Sequence, residues 1–179
     1  MSVSVVARYR PAQRRLHWLI AVLVLAVYVL IEQRGLFPRG SGGRRAMMQG
    51  HFWVGLTILL LALWRLALRV RSTVPPITPA LPAWQGVPSK LLHLALYAFL
   101  VAMPLLGLAT AWSDGKVLQV PFTSLAVPAL LPENATLAEQ LQELHETIGE
   151  LFYWVIGAHV LAALWHHFVR RDDTLRRML

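Results

Sequence analysis

A chain of 179 residues that is 56% hydrophobic and only 15% charged, with a mean hydropathy of +0.53, is too apolar for an ordinary water-soluble domain. It contains no cysteine, which excludes disulfides, thiolate zinc sites, cysteine-held iron–sulfur clusters and thioether-attached haem, so any metal must be held by His, Met or oxygen. The net charge of +8 fits attraction to anionic lipid headgroups, and no nucleic-acid-binding motif accompanies it.

Four apolar stretches are long enough to cross a hydrocarbon core of about 30 Å: residues 16–32, 51–70, 91–112 and 147–168. The whole chain, 1–179, therefore reads as one all-α membrane domain, a bundle of four spanning helices. The first stretch follows Arg8, Arg10, Arg14 and Arg15 in the manner of a signal peptide. Ile31-Glu32-Gln33-Arg34 offers no small-residue cleavage site, however, and the stretch is expected to stay as an anchor. Gly35, Pro38, Gly40, Gly42 and Gly43 punctuate the first connection, and Pro75, Pro76, Pro79, Pro82 and Pro88 the second. Pro104 is expected to kink the third helix. The third connection, 113–135, precedes Thr136 and Glu139, a capping-box pattern that predicts a fourth helix running from about 136 to 168.

Orientation follows from the 17 Lys and Arg residues. With the N-terminus inside, twelve lie on the cytoplasmic side (Arg8, Arg10, Arg14, Arg15, Arg65, Arg69, Arg71, Lys90, Arg170, Arg171, Arg176, Arg177) and five outside (Arg34, Arg39, Arg44, Arg45, Lys116). Both termini are therefore expected in the cytoplasm.

His145 and His159 stand fourteen residues apart on the fourth helix, nearly four turns, so both leave the same face about 21 Å apart along the axis. Ionisable side chains in membrane helices are costly and usually functional. His51 opens the second helix at the outer level of His145, and His17 begins the first helix at the inner side with His159. His93, near the inner start of the third helix, is an alternative inner partner for His159. A four-helix bundle can present such residues inward as two stacked bis-histidine sites. Haem b suits them, because its flat apolar ring fits between helices and two imidazoles saturate the iron for electron transfer. Gly50, Gly55, Gly149, Gly157 and Ala158 could let a porphyrin approach the backbone. Arg65 stands fourteen residues after His51, on nearly the same face at the inner level, where a haem propionate or a quinone is a plausible partner. His166 is seven residues beyond His159 and could hydrogen-bond a quinone and supply a proton; His93 could serve similarly, whereas His167 should point away into solvent. The tryptophans fall mostly at expected interfaces, and Trp112 could also cover the outer site.

Arg15-Leu16-His17-Trp18-Leu19, Arg34-Gly35-Leu36-Phe37-Pro38-Arg39, Met48-Gln49-Gly50-His51 and Leu92-His93 come in sequence before Trp112. Leu144-His145-Glu146-Thr147, Ile156-Gly157-Ala158-His159, His166-His167 and Asp173-Thr174-Leu175-Arg176-Arg177-Met178 follow it. In that order and spacing the chain resembles the bacterial cytochrome b561 family along nearly its whole length. The resemblance implies a multi-pass protein of the bacterial inner membrane with two b-type haems, one on His17 and His159 and the other on His51 and His145. Among family members it is most similar to small stand-alone superoxide oxidases, which implies electron transfer from periplasmic superoxide to ubiquinone. On that reading Arg34, Arg39, Arg44 and Arg45 would steer the superoxide anion, against opposition from Glu133, Glu139, Glu143 and Glu146 on the same side. Two other functions compete: a cytochrome b subunit relaying electrons between quinone and a protein redox partner, and a histidine-lined metal transporter.

Overall fold

The computed structural model describes residues 8–179. Helix α1, Pro11–Glu32, begins with a proline, whose missing N–H falls where a helix has no acceptor to offer, and ends in the 3-10 turn Gln33–Leu36. Helix α2, Gly42–Val70, is capped by Ser41, whose hydroxyl accepts from the Arg44 N–H at 3.2 Å. Helix α3 spans Ala83–Ser113, and α4 spans Ala135–Trp165 before widening into a π-helical turn, His166–Arg170. The third connection folds into a small antiparallel hairpin, β1 (Leu118–Gln119) with β2 (Ala126–Val127), Leu118 opposite Val127.

All four helices are apolar enough to span a membrane, with mean hydropathies of 1.5 to 2.1 over their most apolar windows. Three of them begin well before the apolar stretches that announce them, because their first turns lie in polar or Gly- and Pro-containing sequence. Pro88 is consequently not loop punctuation: it lies inside α3, where its ring leaves the Trp84 carbonyl without an intrahelical donor. The cap of α4 is also corrected. Asn134, not Thr136, accepts the Leu137 N–H, at 3.0 Å, and Thr136 is already helical.

Backbones approach closely between α1 and α2 and between α3 and α4, with α2 against α3 joining the two hairpins. Ile20, Ile58 and the small Ala62 form the buried centre, surrounded by Leu23, Val24, Val27, Val54, Leu61 and Leu100. Phe99 of α3 stacks on Phe152 of α4 with centroids 3.9 Å apart. Outward-facing Leu25, Leu60, Trp154 and Leu161 are each more than half exposed, which suits lipid rather than water. Side chains bridge the seam between α1 and α4: Tyr28 donates to the Gly149 carbonyl at 2.8 Å and Tyr153 to the Glu32 carboxylate at 2.9 Å.

At the inner end the chain clasps itself. The Thr78 N–H donates to Asp173 Oδ1 at 2.9 Å, Trp18 Nε1 donates to the Met178 carbonyl at 2.9 Å, and the Tyr9 N–H donates to the Arg177 carbonyl at 3.1 Å. The Arg177 guanidinium donates to the Pro75 carbonyl. Both ends of the described chain and the α2–α3 connection therefore share one face, the arginine-rich cytoplasmic one.

Candidate functional site: two histidine pairs at two depths

His51 of α2 faces His145 of α4 with ring centroids 6.2 Å apart and planes at 68°. His17 of α1 faces His159 of α4 with the same 6.2 Å separation and planes at 85°. The coincidence has chemical content. A metal bonded to one nitrogen of each ring at about 2 Å, with about 1 Å from nitrogen to ring centre, would hold the centroids about 6 Å apart. His51 Nδ1 lies 3.1 Å from the Val27 carbonyl, which can only accept, so that nitrogen carries the proton and Nε2 is left free. His145 Nδ1 is buried with no hydrogen-bond partner among the described residues.

The inner level holds a third ring. His93 lies 5.5 Å from His159, closer than His17 does, while its own Nδ1 donates to the Ser89 carbonyl one turn back at 2.6 Å. Ring distances alone thus leave both His17 and His93 beside His159. Because α1 starts at Pro11, His17 sits within the helix, not at its first residue.

Around the outer pair lies a cavity of about 570 Å³, lined by His51, His145, Gly55, Gly107 and Gly149, and within the ordinary range for a cofactor pocket. Gly107 approaches closely: a Cβ there would stand 3.1 Å from His145 Cε1. Gly55 and Gly157 face open space, as a flat group lying against the backbone requires, whereas Gly50 already packs on Leu30 and Gly149 on Met103. The residues present therefore fit a haem.

Of the outer arginines, Arg34 and Arg44 line this cavity together with Lys116. Arg45 lines an adjoining pocket of about 340 Å³ that it shares with Arg44 and Lys116, and Arg39 is exposed and lines neither of these two cavities. Lys116 was not singled out by sequence because it arrives on the third connection, which Gln49 ties to α2 by donating to the Val117 carbonyl at 3.0 Å. Lys116 pairs with Asp114 at 2.6 Å, both side chains near half exposed, so the pair is weak. The acids on the cavity are Glu32, Glu146 and Glu150; of the four expected to oppose the arginines, only Glu146 is there. Trp112 is not part of the cavity lining either, although Thr110 and Ala111 beside it are.

Arg65 is half-buried and donates to the Tyr97 hydroxyl at 2.8 Å, with its Nε buried and without a hydrogen-bond partner among the described residues. Tyr97 is a partner that sequence reading missed. His166 gives its Nδ1 proton to Asp172 at 2.6 Å. His167 is not solvated as expected: it is partly buried with Nδ1 shielded from water, because the π turn alters the rotation per residue at the helix end.

Four spanning helices, three of which (α1, α2 and α4) present paired imidazoles to one another, define the class, a membrane-embedded helical bundle whose histidines suit a planar metal group. The chain belongs to the prokaryotic cytochrome b561 family, whose model matches residues 8–179. It is 35% identical to "Cytochrome b561 homolog 1" of Escherichia coli (strain K12) over 172 residues, covering 96% of this chain and 97% of that protein. It is 35% identical to "Probable superoxide oxidase CybB" of Yersinia pestis over 173 residues, covering 96% of each. With "Cytochrome b561 homolog 2" of Escherichia coli (strain K12) the identity is 29% over 172 residues, 96% of this chain and 91% of that protein. The protein is accordingly a multi-pass, b-type haem electron-transfer protein of the bacterial inner membrane.

Proposed function

We propose that this cytochrome is a superoxide oxidase with two b-type haems, passing electrons from periplasmic superoxide to ubiquinone. The observation that carries the reading is the pair of equal 6.2 Å histidine separations, one lining the outer cavity and one at the inner end. The relative named as a probable superoxide oxidase supports the choice of donor. Held by those pairs, haem would supply reversible one-electron chemistry. The net reaction is two superoxide, one ubiquinone and two protons giving two oxygen and one ubiquinol.

The chain's own residues divide the work by depth. Arg34, Arg44 and Lys116 present positive charge at the outer cavity to attract a small anion, with Glu32, Glu146 and Glu150 on the same lining opposing them. The Val27 carbonyl orients His51 by accepting from Nδ1. On the inner side His17 and His159 form the second pair, Arg65 faces it with one guanidinium edge held by Tyr97, and His166 and His93 serve a quinone. Gly55 leaves the outer cavity open to a flat group, and Gly107 lets α3 pass close to His145.

The test is an anaerobic one on purified protein carrying its haem. A superoxide pulse should reduce haem faster than a soluble control, and added ubiquinone should reoxidise it with quinol appearing at half the number of electrons delivered. Absence of superoxide-driven haem reduction sinks the oxidase reading. Reduction that needs a co-purifying protein points to a relay subunit, and a preparation without haem absorption points to metal transport.

A further inference from the structure

At the inner end of α4 three departures from regular geometry fall within seven residues. The helix widens into the π turn His166–Arg170, Arg171 adopts a left-handed conformation with φ 57°, and the chain folds back so that Asp172 lies beneath the helix end. π turns concentrate at functional sites, and a left-handed non-glycine residue persists where its surroundings over-determine it. Here the surroundings are a buried carboxylate. The Asp172 side chain has 0% accessibility; its Oδ2 accepts from His166 Nδ1 at 2.6 Å and lies 2.9 Å from Arg170 Nε. Its Oδ1 accepts from the Thr174 N–H at 2.9 Å. Burial alone would raise this carboxyl, but the Thr174 and His166 hydrogen bonds outweigh it and hold it below the usual carboxylate value.

The geometry has a direction. His166 is on the face of α4 that carries His159, roughly 10 Å nearer the cytoplasm. Its ring keeps 12% accessibility, and among the described residues Nε2 has no protein hydrogen-bond partner. Arg170 is pinned in turn, donating to Gln85 Oε1 at 2.7 Å and to the Ala80 carbonyl at 3.0 Å, so Asp172 is braced from α3 as well as from its own segment. Among the described residues the charged group that touches the pair is Arg170, while Asp173 next to it pairs with Arg177 at 3.8 Å and α3 contributes the neutral Gln85.

We propose that Asp172 is the positioning residue for proton delivery by His166 to the reduced quinone, its carboxylate holding Nδ1–H so that Nε2 is presented to a quinone oxygen. The assignment rests on the quinone reading above. When the ring carries both protons, Nε2–H passes its proton to the oxygen, Nδ1–H stays on Asp172, and the neutral ring takes a new proton from cytoplasmic water. Two such transfers accompany the two electrons that two superoxide ions give up on becoming oxygen. A carboxylate that fixes a histidine's tautomer and balances its transient charge is a general device of acid–base chemistry.

The experiment uses the haem-loaded protein and three variants, Asp172→Asn, Asp172→Glu and His166→Gln, over about pH 5 to 8, the interval in which imidazoles in general exchange protons. Two readings are taken, haem reduction by superoxide without quinone and quinol formation with it. In D172N the first should stay at the wild-type rate while quinol formation falls at least about tenfold, the scale on which acid–base positioning acts. D172E should recover most of that loss, and H166Q should be slow with a flattened pH profile. A wild-type quinol rate and pH profile in D172N overturns the inference, as does an equal fall in haem reduction, which marks a merely structural role. If D172N does not fold, H166Q, which can still donate a neutral hydrogen bond to Asp172, carries the test, and a wild-type rate there is equally fatal. If wild-type protein reduces its haem with superoxide yet forms no quinol, the quinone reading itself fails and takes the inference with it.

Discussion

Replacing Gly107 with alanine adds one carbon at the point where α3 passes His145. That carbon would stand 3.1 Å from His145 Cε1 and 3.6 Å from Nδ1. Ordinary carbon contacts lie at about 3.5 to 4.0 Å, so the ring must retreat by roughly 0.5 Å. The retreat carries the imidazole away from α3 and disturbs its 6.2 Å relation to His51. Metal-ligand sets tolerate displacements of about 0.5 Å, and disturbing the groups that orient a ligand costs about 10- to 100-fold in affinity. G107A should therefore weaken the outer haem about tenfold, or about 1.4 kcal/mol, without touching the inner one. The assay is haem stoichiometry per chain during titration with a soluble haem-binding acceptor, read alongside reduced-minus-oxidised spectra. Gly86, where an added Cβ meets nothing within 4 Å, is the control and should lose no haem as Gly86→Ala. A G107A protein with both haems at wild-type affinity and unchanged spectra would refute the placement of His145 as an axial ligand.

Three further outcomes follow from the same geometry. His51→Ala or His145→Ala should remove one haem and leave the spectrum of the other; loss of both or neither contradicts the pairing. Tyr97→Phe deprives the half-buried Arg65 guanidinium of the 2.8 Å acceptor and should cost about 1 kcal/mol in thermal unfolding, with an unchanged midpoint counting against a structural bond there. The rate of superoxide-driven haem reduction should fall about three- to tenfold as salt shortens the reach of Arg34, Arg44 and Lys116, and Arg44→Gln should flatten that dependence. Arg39→Gln, from a residue that lines neither described cavity, should leave it as it was. Asp172 adds a pH dependence whose sign is fixed by its lowered folded-state value. The Asp172 carboxylate stabilises the fold-back onto His166, Arg170 and Thr174 fully above the ordinary aspartate value of about 3.9 and loses that contribution as pH falls through the lower folded value. Limited proteolysis near the C-terminus should accordingly increase on acidification, and a protease rate indifferent to pH would count against a charged fold-back.

The four spanning segments were legible because lipid demands long apolar runs, and no other property of the sequence is so constrained. Their starts at Pro11, Gly42 and Ala83 were not, since the first turns project toward headgroups and carry no apolar periodicity. The depth relation of His145 to His159 could be read because α4 is unbroken from Ala135 to Trp165, so that fourteen residues preserve a face. Choosing His17 over His93 needed the family resemblance, and the ring distances still place both beside His159. Lys116 and Tyr97 were missed because their roles depend on which helix or connection lies opposite, a tertiary fact. Asp172 looks in sequence like a solvated acid just past a helix end. Its burial depends on the turn at Arg171 and on the neighbouring Asp173, held to Thr78, a contact across 95 positions that no local pattern announces.

The uneven seams of the bundle bear on how such a protein is put together. Helices α1 with α2, and α3 with α4, are close-packed antiparallel pairs that can each enter the membrane as a unit. His17 and His51 belong to the first pair of helices, His145 and His159 to the second. Each proposed haem therefore fastens one hairpin to the other, across a side where Tyr28 and Tyr153 otherwise supply the hydrogen bonds between α1 and α4. The prosthetic groups become stitches in the architecture, and haem supply would govern how firmly the two halves hold in the bilayer as well as how electrons cross it.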